Sequence, residues 1–361
     1  YGLSFFLIFF NSCLAHTLYQ MVSAKRVGPL FLRWFKVDFY VAILGLMALI
    51  FLYLASLPKA LNTQEAFTFA TMQPNFSPLL NWDVSVNHRR MEALEAQLEQ
   101  TQLLDFNLLL LPESVSPNPI LGDATTRDFF EHWARVMGRP ILTGNLAHMR
   151  PADIWYNGVF LIDAKTGLQS DFYAKRELVP FGEFTPEPFA TLLEPFGAIQ
   201  GSFQAGTDSQ VIPIQILGQE WGFGPLVCYE DMFPLRVRES VRAGADVLYV
   251  ATNDAWYGTE GAAYFHAAHS VLRAVENRRP ILRCGNAGWS GWIDAYGSIR
   301  GELSDEANSI YFKGSGSFVF SPQLEWRWQQ SFYTRYGDWF VALSALFALA
   351  GARLAQNIRA Y

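Results

Sequence analysis

The amino-acid sequence predicts an α/β domain flanked by transmembrane α-helices. Long apolar segments lie at both ends of the 361-residue chain, and short apolar strands alternate with amphipathic helices between them. Hydrophobic residues make up 51% of the chain and charged residues only 17%, so the average is more apolar than in an ordinary soluble protein. We therefore expect two transmembrane helices within residues 1–58, a globular domain over 59–335, and a third transmembrane helix within 336–361.

The predicted transmembrane helices are the apolar segments 2–21, 41–57 and 339–354. The second carries no charge and approaches the length that crosses a bilayer core of about 30 Å. Aromatic residues near the start of the third suit an interfacial belt. The alternative for each segment is a helix buried in a protein core. Because the chain opens at Tyr1 within an apolar run, we also expect it to be a fragment with further helices upstream.

Basic residues set the predicted orientation of these helices. Those between the first two segments are Lys25, Arg26, Arg33 and Lys36, and those within or after the last segment are Arg353 and Arg359. By the positive-inside rule both places are cytoplasmic. The globular domain is therefore expected on the opposite, extracytoplasmic side of the membrane.

The first half of the globular domain alternates strands and helices. We predict strands over 67–72, 106–111 and 140–144, helices over 87–101 and 125–136, and a hairpin of 158–163 with 171–175 turned at 165–167. The strand 106–111 is apolar throughout, so we expect it to be buried and to present Glu113 just beyond its end. Lys175 likewise stands at the end of its strand.

The second half continues the same alternation. We predict paired strands 211–217 and 221–228 joined at 218–220, a strand 246–251, a helix 262–277, and strands 281–285, 291–295 and 316–320. The strand 221–228 ends at Cys228. A third chemically reactive side chain therefore follows an apolar strand.

Charge and cysteine content exclude several function classes. The net charge is -6, and no Lys/Arg cluster is interleaved with aromatics, so nucleic acid is not an expected partner. The three cysteines, Cys13, Cys228 and Cys284, form no CxxC and have no His-rich spacing, which predicts neither a zinc site nor a disulfide framework. A bridge between Cys228 and Cys284 stays open, although a free thiol is the simpler interpretation. We expect a monomer.

Glu113, Lys175 and Cys228 together could perform acyl transfer. A thiol needs a base to become a nucleophile, and Glu113 could take its proton. Lys175, with a backbone N–H after Cys228, could stabilise the oxyanion of a tetrahedral intermediate. This mechanism needs no metal or cofactor. Taken singly, however, a strand-end cysteine is more often a small buried hydrophobe, and a lone glutamate or lysine is usually a solvated loop charge.

The context of these residues resembles a known family. LLLPES around Glu113, YAKRELVPFGEF around Lys175 and GPLVCYED around Cys228 resemble the three catalytic motifs of the nitrilase superfamily, whose triad is Glu, Lys and Cys in that order. VPFGE, CYE and ATNDAWYG at 251–258 are similar to the apolipoprotein N-acyltransferase branch. The resemblance spans the whole globular part and implies a nitrilase-like α-β-β-α sandwich as the catalytic domain.

The resemblance also implies a reaction and a location. A fatty acyl chain would pass from a phospholipid to Cys228 as a thioester, and then to the α-amino group of the diacylglyceryl-cysteine at the N-terminus of a lipoprotein. The enzyme would be embedded by several passes in the bacterial inner membrane, with the catalytic domain on the periplasmic side.

Further residues match supporting positions of the family. These are Glu183, Glu230, Tyr229 and Asn157 around the triad, and Trp256 and Tyr257 at the cleft where lipid would enter. A carboxylate near Lys175 would keep the ammonium charged and oriented. The alternatives are a surface acid for either glutamate, core packing for the two aromatics, and a turn-forming role for Asn157.

Two segments carry separate expectations. The family shows a run close to RATNNG where this chain has residues 283–289, so Cys284 and Trp289 are expected to reshape the acceptor side of the site. Residues 184–203, rich in Pro, Phe and Gly, are the candidate for a mobile flap that faces the membrane.

Two other functions compete with acyl transfer. The first is an amidase or nitrilase of the same superfamily, in which water resolves the thioester; the triad alone does not distinguish it. The second is a membrane module that binds lipid or lipoprotein without turnover. The presence of Glu113, Lys175 and Cys228 together argues against the second, because binding does not require all three.

Overall fold

The computed structural model describes residues 2–23, 37–56, 66–77, 84–186 and 203–359. The chain divides into two units. One consists of Tyr1–Leu61 with Asp338–Tyr361, and the other of Asn62–Gly337.

The unit built from the chain ends is helical in its described residues. Its helices are α1 (Gly2–Ser23), α2 (Val37–Ser56) and α8 (Trp339–Arg359), which occupy the three apolar segments selected from the sequence. In the described ranges, no helix combines the length and the apolar character that crossing a membrane requires. The expectation that these flanking helices are transmembrane is therefore not supported. The basic loop used to predict orientation falls within residues 24–36, outside the described part.

The unit Asn62–Gly337 contains two β-sheets and the helices that cover them. The described helices are α3 (Val84–Thr101), α4 (Ala124–Met137), α5 (Pro234–Arg242), α6 (Ala262–Asn277) and α7 (Phe332–Tyr336). The first sheet contains β1 (Phe67–Gln73), β2 (Leu108–Leu111), β3 (Ile141–Met149), β4 (Ile154–Asp163), β5 (Gly167–Leu168), β6 (Tyr173–Ala174) and β13 (Gly314–Phe320). The second contains β7 (Ile212–Ile216), β8 (Gln219–Val227), β9 (Val247–Asn253), β10 (Ile281–Asn286), β11 (Gly291–Ile293) and β12 (Ile299–Glu302).

The two sheets share one pairing pattern. The first has the order β13-β1-β2-β3-β4-β5, with β6 beside β4, and the second has the order β12-β11-β10-β9-β8-β7. In the first, β1, β2 and β3 are parallel and the strands beside them are antiparallel. In the second, β8, β9 and β10 are the parallel trio. Parallel strands bring their C-terminal ends to one edge of a sheet, which is where α/β proteins assemble their sites.

Three apolar clusters arrange these elements in layers. The central cluster takes side chains from the inner faces of both sheets, including Phe69, Leu110, Phe223 and Tyr249. A second cluster joins the outer face of the first sheet to α3 and α4, and a third joins the outer face of the second sheet to α5 and α6. The layers are therefore α-β-β-α, as the resemblance implies.

The apolar run in β2 follows from this layering. Leu108 and Leu110 belong to the central cluster, whereas Leu109 and Leu111 belong to the outer one, and all four are fully buried. Because both faces of β2 are covered, the strand does not alternate with polar residues. Each such leucine contributes about 1.5–3 kcal/mol by burial, so the segment before Glu113 is held firmly.

Most of the predicted elements are present, with some differences. The helix predicted over 262–277 has those bounds, while β3 and β4 are longer than predicted and pair along their length. The return strand 171–175 is shorter, with Tyr173 and Ala174 paired to β4. Neither α5 nor β12 was predicted. α5 is only nine residues long and mostly polar, and β12 is mostly exposed, which explains the omission.

Candidate active site

Glu113 lies just beyond β2 and is held through both carboxylate oxygens. Its Oε1 accepts a hydrogen bond from Asn157 Nδ2 at 2.8 Å and lies 3.4 Å from Lys175 Nζ. Its Oε2 accepts from the backbone N–H of Asn253, at the end of β9, at 3.0 Å. Gly144 permits this position, because a Cβ on residue 144 would lie 2.6 Å from the Glu113 Cα. Donors from both sheets therefore fix the orientation of this carboxylate.

Lys175 follows β6 and is only 1% exposed. Its Nζ lies 2.8 Å from Glu183 Oε1, and 5.5 Å from the centre of the Tyr229 ring. Asn157 Nδ2 also donates to Glu183 Oε1 at 2.9 Å, so one amide connects the two carboxylates that flank the ammonium. Glu183 therefore contacts Lys175, as the sequence analysis expects of a carboxylate near the ammonium.

Cys228 is the first residue after β8 and begins a 3₁₀ turn, Cys228–Met232. Its φ is 54°, in the left-handed region that non-glycine residues rarely adopt. Such backbone positions concentrate at functional sites, where the surrounding structure maintains the strain. The thiol is 8% exposed and interacts electrostatically with both Glu113 and Lys175. The three predicted triad residues therefore share one site.

Burial and the neighbouring charges together set the pKa values of Cys228 and Lys175. Burial raises the pKa of the Cys228 thiol, the Glu113 carboxylate raises it further, and the Lys175 ammonium lowers it, with a net increase. Burial alone would lower the pKa of Lys175, but Glu113, Cys228 and Glu183 outweigh it and raise that pKa. At rest, the Cys228 thiol is therefore protonated and Lys175 is a cation.

Glu230 accepts hydrogen bonds mainly from backbone N–H groups. Its Oε2 accepts from the Val227 N–H at 2.7 Å and from the Tyr173 hydroxyl at 2.9 Å. Its Oε1 accepts from the N–H groups of Arg176 and Glu177, at 2.7 Å and 3.1 Å. Of the two predicted supporting glutamates, only Glu183 therefore pairs directly with Lys175, while Glu230 ties the strand before Cys228 to the segment after Lys175.

Aromatic residues border the site. The Tyr229 hydroxyl donates to the Leu178 carbonyl at 2.7 Å, and burial raises the pKa of Tyr229 to about 12. Tyr257 lies on a 3₁₀ turn, Asp254–Tyr257; burial first, and then the charge on Cys228, raise its pKa to about 12. Trp256, on the same turn, is 62% exposed. The core-packing alternative is therefore wrong for Trp256 and also for Tyr257, which is 45% exposed.

The segment that departs from the family motif is packed in the interior. Cys284 is buried in the central cluster and Trp289 in the outer cluster of the second sheet. Their effect on the acceptor side of the site stays a prediction. Cys228 and Cys284 are free thiols, as the simpler interpretation had it. Asn286 Nδ2 donates to Asn253 Oδ1 at 2.9 Å and so supports the contact to Glu113. Most of the candidate flap, residues 187–202, lies outside the described residues.

Comparison with known proteins places this arrangement in a family. Residues 68–327 match the carbon-nitrogen hydrolase family. The chain belongs to this family.

Two relatives with similar sequences are apolipoprotein N-acyltransferases. The apolipoprotein N-acyltransferase of Geobacter metallireducens is 30% identical over 372 residues, which cover 98% of this chain and 65% of that protein. The one from Thermotoga maritima is 27% identical over 357 residues, covering 98% and 62%. The chain thus spans somewhat less than two thirds of the length of these relatives. The crystal structure of an amidase from Nesterenkonia sp. has a TM-score of 0.53 at 20% identity, covering 71% of this chain and 91% of that one, which shows the shared fold.

One set of residues at this carbon-nitrogen hydrolase site was not predicted. Asp231, Asp254, His266 and Arg283 form a buried polar cluster behind Cys228, with Ser270 at its side. In the sequence, this cluster could have been inferred from Arg283, a charged residue inside the apolar strand 281–285. A charge in such a strand requires a buried partner.

Replacing Lys175 with methionine should destabilise the fold by about 3–5 kcal/mol, because two buried carboxylates lose their cation. Since the pKa of Lys175 is raised in the folded chain, its contribution is fully present below the unfolded value of 10.5 and is lost only as pH rises through the folded value. The difference in unfolding free energy between wild type and Lys175→Met, measured by urea denaturation, should therefore be constant from about pH 7 to pH 10. Lys313→Met, at an exposed position, is the matched control and should change stability little. A difference that disappears before pH 10 would contradict this assignment.

Proposed function

We propose that the chain is an N-acyltransferase. It moves a fatty acyl chain from a phospholipid, through a thioester on Cys228, to the α-amino group of the diacylglyceryl-cysteine at the N-terminus of a lipoprotein. The observation that supports this proposal is the buried contact of Lys175 with Glu113, both of which interact electrostatically with the Cys228 thiol. The likeness to apolipoprotein N-acyltransferases supplies the substrates.

In the first half-reaction, Cys228 Sγ attacks the ester carbonyl carbon of the phospholipid while Glu113 takes the thiol proton. The carbonyl oxygen gains negative charge, which the ammonium of Lys175 stabilises. The bond between the carbonyl carbon and the glycerol oxygen then breaks, and Glu113 returns the proton to that oxygen. The products are a lysophospholipid and an S-acyl Cys228.

In the second half-reaction, the neutral α-amino group of the acceptor attacks the thioester carbonyl carbon. Glu113 takes a proton from the attacking nitrogen, and Lys175 again stabilises the oxyanion. The carbon–sulfur bond breaks, and the thiolate of Cys228 regains its proton from Glu113. The lipoprotein leaves with an amide bond, and the free enzyme is restored.

We further propose that the chain works at the bacterial inner membrane, with the unit Asn62–Gly337 on the periplasmic side. Large apolar side chains on the terminal helices are exposed, among them Ile8, Phe51 and Leu349. Apolar surface of this kind favours contact with lipid over water. Trp256, exposed beside the site, is the proposed contact for the entering acyl chain, since an indole suits a boundary between lipid and water.

The second candidate function is hydrolysis. The geometry at Glu113, Lys175 and Cys228 serves water as well as an amine, because the two reactions differ only in what attacks the thioester. The fold shared with an amidase favours this alternative. The likeness to acyltransferases over 98% of the chain favours transfer.

Replacing the proposed nucleophile tests the acyl-enzyme. Cys228→Ala should form no adduct when incubated with phospholipid vesicles, and Cys228→Ser should be nearly as inactive, because a hydroxyl is far harder to ionise than a thiol. Intact-protein mass spectrometry measures the adduct. Cys284→Ala is the matched control and should keep the adduct, since Cys284 is buried in the central core. An acyl adduct on Cys228→Ala would refute the assignment, and its absence from wild type would favour a module that binds without turnover.

Replacing the proposed base should slow acylation without unfolding the chain. In Glu113→Gln the amide retains much of the shape of the carboxylate but does not accept the thiol proton. The rate of adduct formation should fall by about 10²–10⁴-fold, the usual loss for a missing general base. Glu92→Gln, at an exposed position on α3, should react at the wild-type rate. Equal rates for Glu113→Gln and wild type would exclude Glu113 as the base.

The fate of the thioester separates transfer from hydrolysis. Wild-type protein is mixed with phospholipid vesicles and a synthetic diacylglyceryl-cysteine peptide, and both free fatty acid and N-acyl peptide are quantified. Transfer predicts that N-acyl peptide accumulates and that an N-acetylated control peptide, which lacks the free amine, yields none. Steady release of fatty acid without N-acyl peptide would establish hydrolysis instead.

A further inference from the structure

His266 bridges two aspartates in the interior of the unit Asn62–Gly337. The residue lies on α6 and is 4% exposed. Its Nδ1 lies 2.8 Å from Asp254 Oδ1, and its Nε2 lies 3.0 Å from Asp231 Oδ1. Both aspartates are fully buried. The imidazole therefore connects two separate segments of chain through both of its nitrogens.

These two segments carry the nucleophile and the backbone donor that holds the base. Asp231 belongs to the turn Cys228–Met232, which begins with the reacting thiol. Asp254 directly follows Asn253, whose N–H donates to Glu113 Oε2 at 3.0 Å. A displacement of either aspartate would therefore move the thiol or the carboxylate that faces it.

The charges in this cluster balance only when His266 is protonated. Arg283 donates from Nη1 to Asp231 Oδ2 at 2.8 Å, and its Nη2 lies 3.4 Å from Asp254 Oδ2 and 2.8 Å from His266 Nδ1. A neutral imidazole that accepts from Arg283 would leave a net charge of about -1 in the protein interior, which is costly. It would also turn the Nδ1 lone pair toward an Asp254 oxygen.

An imidazolium brings the sum of charges to zero and donates one N–H to each aspartate. It requires the N–H groups of Arg283 Nη2, which lies 2.8 Å from Nδ1, to point toward Asp254 Oδ2 and not toward the ring. Burial and Arg283 lower the pKa of His266, but the hydrogen bonds to Asp231 and Asp254 more than offset them and raise it. The other polar or titratable neighbours are Ser270, whose hydroxyl donates to Asp231, Thr252, whose hydroxyl donates to Asp254, the Tyr257 ring at 6.2 Å, and His269.

We propose that His266 is a positioning residue that, as an imidazolium, clamps the Cys228 turn to the Asn253 segment and cancels the negative charge behind the thiol. The clamp fixes the distance over which Glu113 takes the thiol proton. The negative charge of Asp254 also affects the thiol. The pKa of Cys228 is raised by burial and Glu113, lowered by Lys175, and raised to a smaller extent by Asp254. This proposal rests on the proposed function only in taking Cys228 as the reacting thiol.

Alkylation of Cys228 by iodoacetamide tests the clamp without any lipid substrate. The rate is followed against pH by peptide mass spectrometry, which distinguishes Cys228 from Cys13 and Cys284. His266→Gln leaves the cluster with an unbalanced negative charge, so alkylation at pH 8 should fall by about tenfold and recover at higher pH. The double variant His266→Gln/Asp254→Asn restores charge balance and should move the profile back toward wild type. A purely structural role for His266 predicts that the double variant is no better than the single one.

His269→Ala is the matched control, because His269 lies three residues further along α6 with its ring against Phe265. It should keep the wild-type profile. The proposal is overturned if His266→Gln alkylates with the wild-type pH profile, or if the double variant reacts more slowly than the single one. Wild-type protein that alkylates as expected but forms no acyl adduct would count against the phospholipid donor and not against the clamp.

A measurement on unmodified protein applies even if His266→Gln does not fold. In wild-type chain labelled with ¹⁵N-histidine, nitrogen chemical shifts at about pH 8.5 distinguish imidazolium from neutral imidazole, since an unperturbed histidine is neutral there. One imidazolium signal should persist. Its absence would show that the cluster does not hold a charged His266, and the proposal would fail.

Discussion

A buried ammonium group governs this site. Lys175 is withdrawn from water, so its charge is tolerated only because Glu113 and Glu183 stand within 3.4 Å and 2.8 Å of it. The ammonium also opposes the effect of burial on the Cys228 thiol, because it lowers the pKa that burial raises. The ammonium, the carboxylate and the thiol therefore belong to one buried site in which the charge of each group affects the others.

The packing of the two sheets brings these groups together. Glu113 and Lys175 follow strands of the first sheet, whereas Cys228 and Asn253 come from the second. No single sheet carries a complete site in the described residues, so the central apolar cluster sets the distance between base and thiol. Hydrogen bonds between the two sheets reinforce this arrangement. The Asn253 N–H donates to Glu113, and Glu230 accepts from the N–H groups of Val227 and Arg176.

The sequence was informative wherever a feature is local. The apolar strand before each reactive side chain made Glu113, Lys175 and Cys228 candidates. The motifs around them, which resemble those of the nitrilase superfamily, then selected these residues and Glu183. Features that depend on distant contacts were not predicted. The role of Glu230 depends on backbone groups that fold toward it, and the two aspartate partners of Arg283 are 29 and 52 residues away along the chain. The helices at the chain ends show the opposite case, in which the apolar pattern located each helix but did not establish a membrane crossing.

The most direct test of this account is an experimental structure of the protein with an acyl chain trapped on Cys228. The account predicts that the thioester carbonyl oxygen lies within hydrogen-bonding distance of Lys175 Nζ, and that a Glu113 oxygen faces the sulfur. A thioester whose carbonyl points away from the ammonium, with Lys175 and Cys228 in separate surroundings, would contradict it.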